Sequence, residues 1–502
     1  MIAVVLLAPM GIVVGEKATV VSGAWADVGL MTVELKGTHR EMGRQYGLAA
    51  KEPIRANVDL FWEAVESMGM SKKGLLQKTS ERSMPQSMID MLRGMSETSG
   101  VRYSELLAFN EFAPGMEGGA CTCFVARPDA TADGNPLSFK TSDIHYGQQV
   151  LLIVTPEVGY SYMAVAFAGG VGSSEEGMNE HGLSLGFNWL PIPKGSEYED
   201  GLNTWDLQIM ILERCKTVRD AIELVEGEKK QIGGNIMVSG KDEAAFIEIA
   251  PSTYTPDCAY RIIDSGFDAH TNHWLYEPFF SWVLDPSLEP SGDWADTYMW
   301  TPSIFRYDRA VELGEMHCGE LTSGHLMSFA RDLENWGMCP TELWELYPDW
   351  ADVMMPGFPG NSICNVQTTS ACVFEIDMDE PNLLSTMWMA QNNPCQTPFV
   401  PLHIAILYDD VTASYANEQL ASYIGRDYYL LVNGMAAGWG DDLVPIFEAW
   451  ESEAMDAIAE AEVEVLELLS VDRYADAALL LTELDCALAL EVWELQSELQ
   501  VA

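Results

Sequence analysis

A cysteine preceded by small residues is the first place where chemistry concentrates in this chain. Gly118-Gly119-Ala120-Cys121-Thr122-Cys123-Phe124 leads into a segment that reads as a strand. A thiol is a strong nucleophile only as the thiolate, so it needs a base. If the backbone is cut between Ala120 and Cys121, the nucleophile carries its own base. The freed α-amine has an ordinary pKa of about 8 and can take the thiol proton near neutrality. The small residues let the backbone kink for such self-cleavage. The same string also fits a loop entering a strand. Cys123 is a rival nucleophile, although no small residue precedes it. His145, His270 and His273 allow a third reading, a separate Cys–His hydrolase; each also fits a hydrogen-bonded structural histidine.

Stepping outward, the flanking elements must hold that cysteine. Cys121 to Arg127 and Leu137 to Lys140 read as two short strands joined by Asp133-Gly134-Asn135, a hairpin signal. Val150 to Thr155, Tyr162 to Phe167, Gly182 to Phe187 and Ala245 to Ile249 add strands, with helices near Thr204 to Cys215 and Val218 to Glu226 between them. Cys364 to Met378 and Leu384 to Gln391 return to strand character. Before the cysteine, one strand at Met31 to Leu35 precedes helices, the first with Thr38 as N-cap, the others near Ile54 to Ser67 and Met84 to Thr98. A proline-rich stretch, Glu277 to Thr301, reads as a loop. From about Ala413 the chain reads as helical and acidic to its end. Strands grouped with strands, and helices in blocks, suit stacked antiparallel sheets flanked by helices.

Composition narrows the function. The 502 residues are 48% hydrophobic, enough for a large core, and carry 27 Lys plus Arg against 76 Asp plus Glu, a formal net charge of -49. That charge repels phosphate backbones and anionic membranes, which argues against nucleic acid as a partner. The ten cysteines form no paired CxxC arrangement and no zinc site; one or two disulfides would be expected only in an exported protein. No Gly-rich phosphate loop, His-Glu-x-x-His helix or calcium loop is found, so no cofactor and no metal is implied. Met1 to Val14 is apolar and Ala24-Trp25-Ala26 offers a small-x-small cleavage site. Residues 1–26 are therefore expected to be a signal peptide or anchor, with export or membrane anchoring as its consequence and a cytoplasmic location otherwise.

Several motifs, in order, resemble the isopenicillin N acyltransferase family of N-terminal-nucleophile hydrolases. Gly37-Thr38-His39-Arg40-Glu41-Met42-Gly43-Arg44-Gln45-Tyr46-Gly47 resembles its opening, and Asn110-Glu111 before Ala120-Cys121-Thr122 its run into the autocleavage site. Gly177-Met178-Asn179-Glu180-His181-Gly182-Leu183, Thr271-Asn272-His273-Trp274, Ser362-Ile363-Cys364 and Pro394-Cys395-Gln396-Thr397-Pro398-Phe399 resemble later landmarks. The resemblance implies an α+β fold, a four-layer αββα sandwich, here with an added C-terminal helical region. The implied organisation is a 27–120 N-terminal segment removed from the nucleophile by cleavage, a 121–412 catalytic core and a 413–502 acidic helical region. Cys121 matches the family nucleophile, Asp143 the carboxylate that holds the freed amine and the substrate, and Asn272 the amide that helps bind the oxyanion. Lys140 and Thr122 are expected at the substrate.

The chain departs from the pattern in three places. Ala120 stands where Gly is usual. Lys140 stands where related bile-acid hydrolases and penicillin V acylases carry Arg, keeping the charge but not the planar fork. Asn365 follows Cys364 where an Arg is expected. The implied activity is acyl transfer from a small-molecule amide or peptide to Cys121 and then to water or an amine. A dipeptidase or phospholipase B-like member of the superfamily is the rival enzyme, and a non-catalytic acidic binding protein on this fold the rival from another class.

Overall fold

The computed structural model describes residues 31–81, 84–115, 120–143, 148–171, 176–190, 192, 200–280, 296–334, 362–365, 368–391, 393–407 and 440–501. Residues 1–26, Gly118, Gly119 and His145 lie outside them, so the expected leader, the glycines before the nucleophile and that histidine are not described.

Two sheets form the centre. The larger has eight strands in the order β1-β4-β5-β6-β7-β8-β9-β10, and the smaller has six in the order β11-β2-β3-β12-β13-β14. In the larger sheet these are β1 (Met31–Gly37), β4 (Gln149–Pro156), β5 (Tyr162–Phe167), β6 (Glu176–Asn179), β7 (Ser184–Trp189), β8 (Gly234–Ser239), β9 (Ala244–Ile249) and β10 (Cys258–Ile263). The smaller contains β2 (Ala120–Ala126), β3 (Leu137–Asp143), β11 (Phe267–His270), β12 (Thr368–Glu375), β13 (Thr386–Gln391) and β14 (Val400–His403). Every pairing is antiparallel except β1 with β4.

The near-continuous apolar runs in the strands follow from burial on both faces. In β4, Leu151 and Ile153 enter a core shared with Cys123 and Val125 of β2, Cys372 and Phe374 of β12, and Met387 and Met389 of β13; this core joins the two sheets. Leu152 and Val154 face the other way, into a core with the helices α1 (His39–Ala49), α2 (Lys51–Ser67), α4 (Gln86–Ser99), α5 (Tyr103–Phe112), α6 (Thr204–Arg214) and α7 (Val218–Gly227). A short helix, α3 (Lys72–Lys78), adds Leu75 to that layer. On the far side, Phe124, Phe139, Val373 and Trp388 of the smaller sheet meet α8 (Asp296–His317), α9 (Ser323–Ala330), α10 (Gly440–Leu469) and α11 (Tyr474–Val501). The layers are therefore helix, sheet, sheet, helix: an α+β, four-layer αββα sandwich, with α10 and α11 as the added C-terminal helices.

Motif residues explain local order. Thr38 caps α1 in a full capping box with Glu41. Gly43 lets α1 lie on α4, because a Cβ there would sit 2.0 Å from the Met91 carbonyl oxygen. Asn110 is buried and holds the chain after β5, donating to the Gly169 carbonyl at 2.9 Å and accepting from the Val171 N–H at 2.8 Å.

Two expectations need correction. The stretch expected as loop through Thr301 turns helical at Asp296, the start of α8. Packing of Arg306 and Ala310, one helical turn apart, against the smaller sheet decides the helix. Ser362 to Asn365 form a bend rather than the start of a strand, and β12 begins at Thr368. The Cys364 N–H is taken by the Asp332 carbonyl after α9, not by a sheet partner.

Candidate active site

Sheet register gathers the residues expected around Cys121. In the β2–β3 ladder Ala120 is opposite Asp143, and Cys121 is opposite Ser142. In the β11–β2 ladder His270 is opposite Cys123. Two residues onward on one strand and two back on the other, the antiparallel register carries Asn272 alongside Cys121. Cys121 is thus flanked by Ser142 on β3 and by Asn272 after β11, with Asp143 opposite the preceding Ala120.

Alternation separates two faces. Cys123 lies in the core between the sheets. Cys121, Lys140 and Ser142 share that face, whereas Ala120, Thr122 and Asp143 face the α8 layer. Lys140 and Asp143, three apart, therefore point to opposite sides of the sheet.

On the α8 side, Arg306 reaches the backbone of the candidate nucleophile. It is buried, donates from Nη1 to the Cys121 carbonyl and, at 3.1 Å, to Thr122 Oγ1, and donates from Nη2 to Asn272 Oδ1 at 2.8 Å. The Cys121 N–H donates to the same Asn272 oxygen at 2.7 Å. Two donors converging on one atom orient the carboxamide with oxygen toward Cys121. Its Nδ2 donates to the Trp189 carbonyl at 2.8 Å, which uses one of its two hydrogens.

Asp143 is wholly buried and accepts from Thr368 Oγ1 at 2.6 Å. Burial pushes its carboxyl up to about 6, against the pull of Arg306, Thr368, Asn365 and Lys140. A carboxyl near 6 exchanges protons close to neutrality, as an acid–base group must. Burial likewise draws Arg306 below its ordinary value, opposed by Asp143 and Cys121.

On the inter-sheet side, Lys140 donates to the Thr141 carbonyl at 3.0 Å and to Ser142 Oγ at 2.6 Å. The Ser142 hydroxyl in turn donates to Glu176 at 2.6 Å, and Ser370 does so at 3.1 Å. Lys140 Nζ lies 3.9 Å from Glu176 Oε1.

The rival nucleophiles have other partners. The Cys123 thiol is pushed well up by burial and donates to Asn188 Oδ1 at 3.1 Å. Asn188 spends its Nδ2 on the His270 and Thr271 carbonyls at 2.9 and 3.1 Å. His270 is tied to Glu248 at 2.9 Å and to the Thr271 carbonyl at 2.8 Å. His273 shares a 2.8 Å hydrogen bond with Ser303, and burial, with His270 and Arg306 nearby, brings it down to about 3. An imidazole held that low is a poor proton acceptor at neutrality.

Sequence reasoning missed Arg306, Thr368 and Glu176. The guanidinium expected after Cys364 comes from α8 instead. Nothing local marks it within Ser303-Ile304-Phe305-Arg306-Tyr307, which falls just past a stretch read as loop.

Residues 132–340 match the family model described as acyl-coenzyme A:6-aminopenicillanic acid acyl-transferase, the resemblance carried by the motifs. The matched span includes Asp143, Asn272 and Arg306 and begins after Cys121. An uncharacterized protein of Archaeoglobus fulgidus is 24% identical over 240 residues, 41% of this chain and 40% of that protein. The chain thus spans about 40% of the length of that curated relative. Among solved structures, a mutant conjugated bile acid hydrolase from Clostridium perfringens is similar with a TM-score of 0.33 and 12% identity, over 57% of this chain and 92% of that one. Penicillin V acylase from Agrobacterium tumefaciens has a TM-score of 0.28 and 14% identity, over 57% and 79%. The Caenorhabditis elegans ortholog of N-acylethanolamine-hydrolyzing acid amidase has a TM-score of 0.29 and 14% identity, over 50% and 92%.

Proposed function

We propose that the chain is a self-cleaving cysteine amidohydrolase or acyltransferase that acts on the C–N bond of small amides through an acyl-Cys121 intermediate. The observation that carries this reading is the convergence of Asn272 and Arg306 on the backbone of Cys121, with Asp143 opposite Ala120 on the other side of the bond to be cut. Such an arrangement serves a reaction at the nitrogen of that residue as well as at its sulfur.

In this reading, Cys121 Sγ attacks the Ala120 carbonyl carbon and the amide becomes a thioester. As Sγ attacks, the thiol gives up its proton and the departing Cys121 nitrogen gains one; Asp143, its carboxyl near 6, is the group that passes it. Water then hydrolyses the thioester, releasing the Ala120 carboxylate and restoring the Cys121 thiol beside the α-amine freed in the first step. Asn272 Oδ1 already accepts from that nitrogen and holds the amine once it is free. The amine takes the thiol proton, and the thiolate attacks a substrate amide to give acyl-Cys121 and a released amine. Water or a second amine takes the acyl group. The remaining Asn272 N–H is the donor for the developing oxyanion; removal of one such donor typically costs about 3 to 4 kcal/mol of transition-state stabilisation. Thr122 and Lys140, expected at the substrate, are fully buried: Thr122 accepts from Arg306 on the α8 side, and Lys140 donates to Ser142 on the face that carries the Cys121 side chain.

The test is a panel of small acyl anilides offered to the wild-type chain and to Cys121→Ala, with intact-mass analysis of rapidly quenched reactions. The reading expects aniline release by wild type, none by Cys121→Ala, and an acyl adduct that maps to Cys121. Equal release by both proteins contradicts it.

A further inference from the structure

Beside the site, at the junction of three segments, lie two thiols that the proposed reaction does not use. Cys364 Sγ and Cys395 Sγ are 3.3 Å apart and both residues are buried. The Cys364 N–H donates to the Asp332 carbonyl at 2.9 Å, and its thiol to Asn393 Oδ1 at 3.2 Å. The Cys395 N–H donates to the same Asn393 oxygen at 3.0 Å, and its sulfur lies 3.6 Å from the Arg331 carbonyl oxygen. Asn393 Nδ2 completes the knot by donating to the Asn365 carbonyl at 2.7 Å. From there the connection reaches the site. The Asn365 N–H donates to Thr368 Oγ1 at 3.0 Å, and that hydroxyl donates to Asp143.

We propose that Cys364 and Cys395 form a reversible disulfide, a redox modification site that staples the 362–365 bend to the 393–397 turn behind Asp143. The sulfurs must close by only about 1.3 Å to reach bonding distance. The oxidant is a small-molecule disulfide. One cysteine thiolate attacks it, forming a mixed disulfide and expelling one small thiol. The second cysteine thiolate attacks the protein sulfur of that mixed disulfide, forming the Cys364–Cys395 bond and expelling the second small thiol. Two protein thiols are oxidised, one small disulfide is reduced, and the two protons end on the two small thiols. Burial and the adjacent sulfur both push the Cys364 thiol up. Exchange is therefore slow on the closed fold and faster when the turns open. Once formed, the bond closes a loop between positions 31 apart, which limits how far the unfolded chain can spread.

The test equilibrates the purified full-length chain in glutathione buffers from fully reduced to fully oxidised, with mild urea to speed opening, approached from both directions. Acid quench, alkylation, digestion and peptide mass analysis then read the linkage. A reductant-sensitive peptide pair joining Cys364 to Cys395 is expected, absent from Cys364→Ala and Cys395→Ala, with a higher melting temperature for oxidised than for reduced wild type. Separate alkylation of both cysteines at every ratio, glutathione adducts without the link, or pairing of either with another cysteine overturns the proposal. Because the readout is the link itself, the result stands whatever Cys121 does.

Discussion

Two fully buried arginines behave in opposite ways. Arg331, just after α9, holds Glu451 of α10 with both guanidinium nitrogens, at 2.7 and 2.6 Å, and donates to the Pro394 carbonyl at 2.8 Å. Burial lowers its proton affinity, but Glu451 overrides that, and Arg331 ends above its ordinary value. Arg306 donates to neutral acceptors, the Cys121 carbonyl, Thr122 and Asn272, and there burial wins. The same contrast separates His403 from Asp143. Burial lowers His403, but its 2.7 Å bond to Asp485 of α11 turns the balance upward, whereas Asp143 is left at about 6 by its burial. Where charges close on each other, they dock the C-terminal helices and change little. Where the hydrogen-bond partners are neutral, burial decides the direction of the shift.

The largest expected effect breaks the docking side. Arg331→Ala leaves Glu451 buried and unpaired, a loss of roughly 3 to 5 kcal/mol of stability. Thermal melts should show it, and Arg331→Met combined with Glu451→Leu should recover most of it. A loss below about 1 kcal/mol in the single variant would remove the contrast.

On the reactive side, Asn272→Ala should lower kcat by roughly a hundred- to a thousandfold with a smaller change in KM. The cleaved preparation should still react with a small thiol reagent. Unchanged turnover would place the oxyanion donor elsewhere.

A smaller effect sharpens the contrast through pH. Asp143 has its folded-state pKa raised from 3.8 to about 6. The folded chain therefore holds this proton more tightly than the unfolded chain. Below about pH 4 both states are protonated and burial carries no ionic cost. The cost grows from pH 4 to 6 and is complete above, on the order of 3 kcal/mol. In a Cys121→Ala background, which stays uncleaved, Asp143→Asn should therefore gain stability relative to its parent as pH rises from 4 to 7. A constant difference across that range would mean that Asp143 does not titrate there.

The smallest effect is expected from Cys123→Ala, which should cleave and turn over at close to the wild-type rate. A dead Cys123→Ala with an active Cys121→Ala would reverse the choice of cysteine.

The contrast also shows what a sequence can carry. The β2–β3 hairpin was legible because strand alternation and an Asp-Gly turn are local signals, whereas Cys121 was singled out by the small residues before it together with the resemblance, and Asp143 by the resemblance alone. Asn272 was found through its motif, and only the β11–β2 register explains why it sits beside Cys121. Asn110 and Asn179 entered as landmarks of a resemblance. The structure shows them as buried organisers, Asn179 donating to the Leu212 and Cys215 carbonyls at 3.0 and 2.8 Å. Arg306 and the Arg331–Glu451 clamp were not legible. Each depends on a helix crossing a sheet or on partners 120 or more positions apart, and neither leaves a periodic trace. The bend at Ser362 to Asn365 was misread because its apolar residues, Ile363 and Cys364, are buried by neighbouring turns rather than by a ladder.

The central claim is that the backbone of Cys121 is itself a reacting group. Intact-mass analysis of the purified chain, with N-terminal sequencing of every fragment, tests it most directly. The account predicts two pieces, the longer one beginning at Cys121, and a single uncut chain from Cys121→Ala. An uncut wild-type chain with full amidase activity would contradict it.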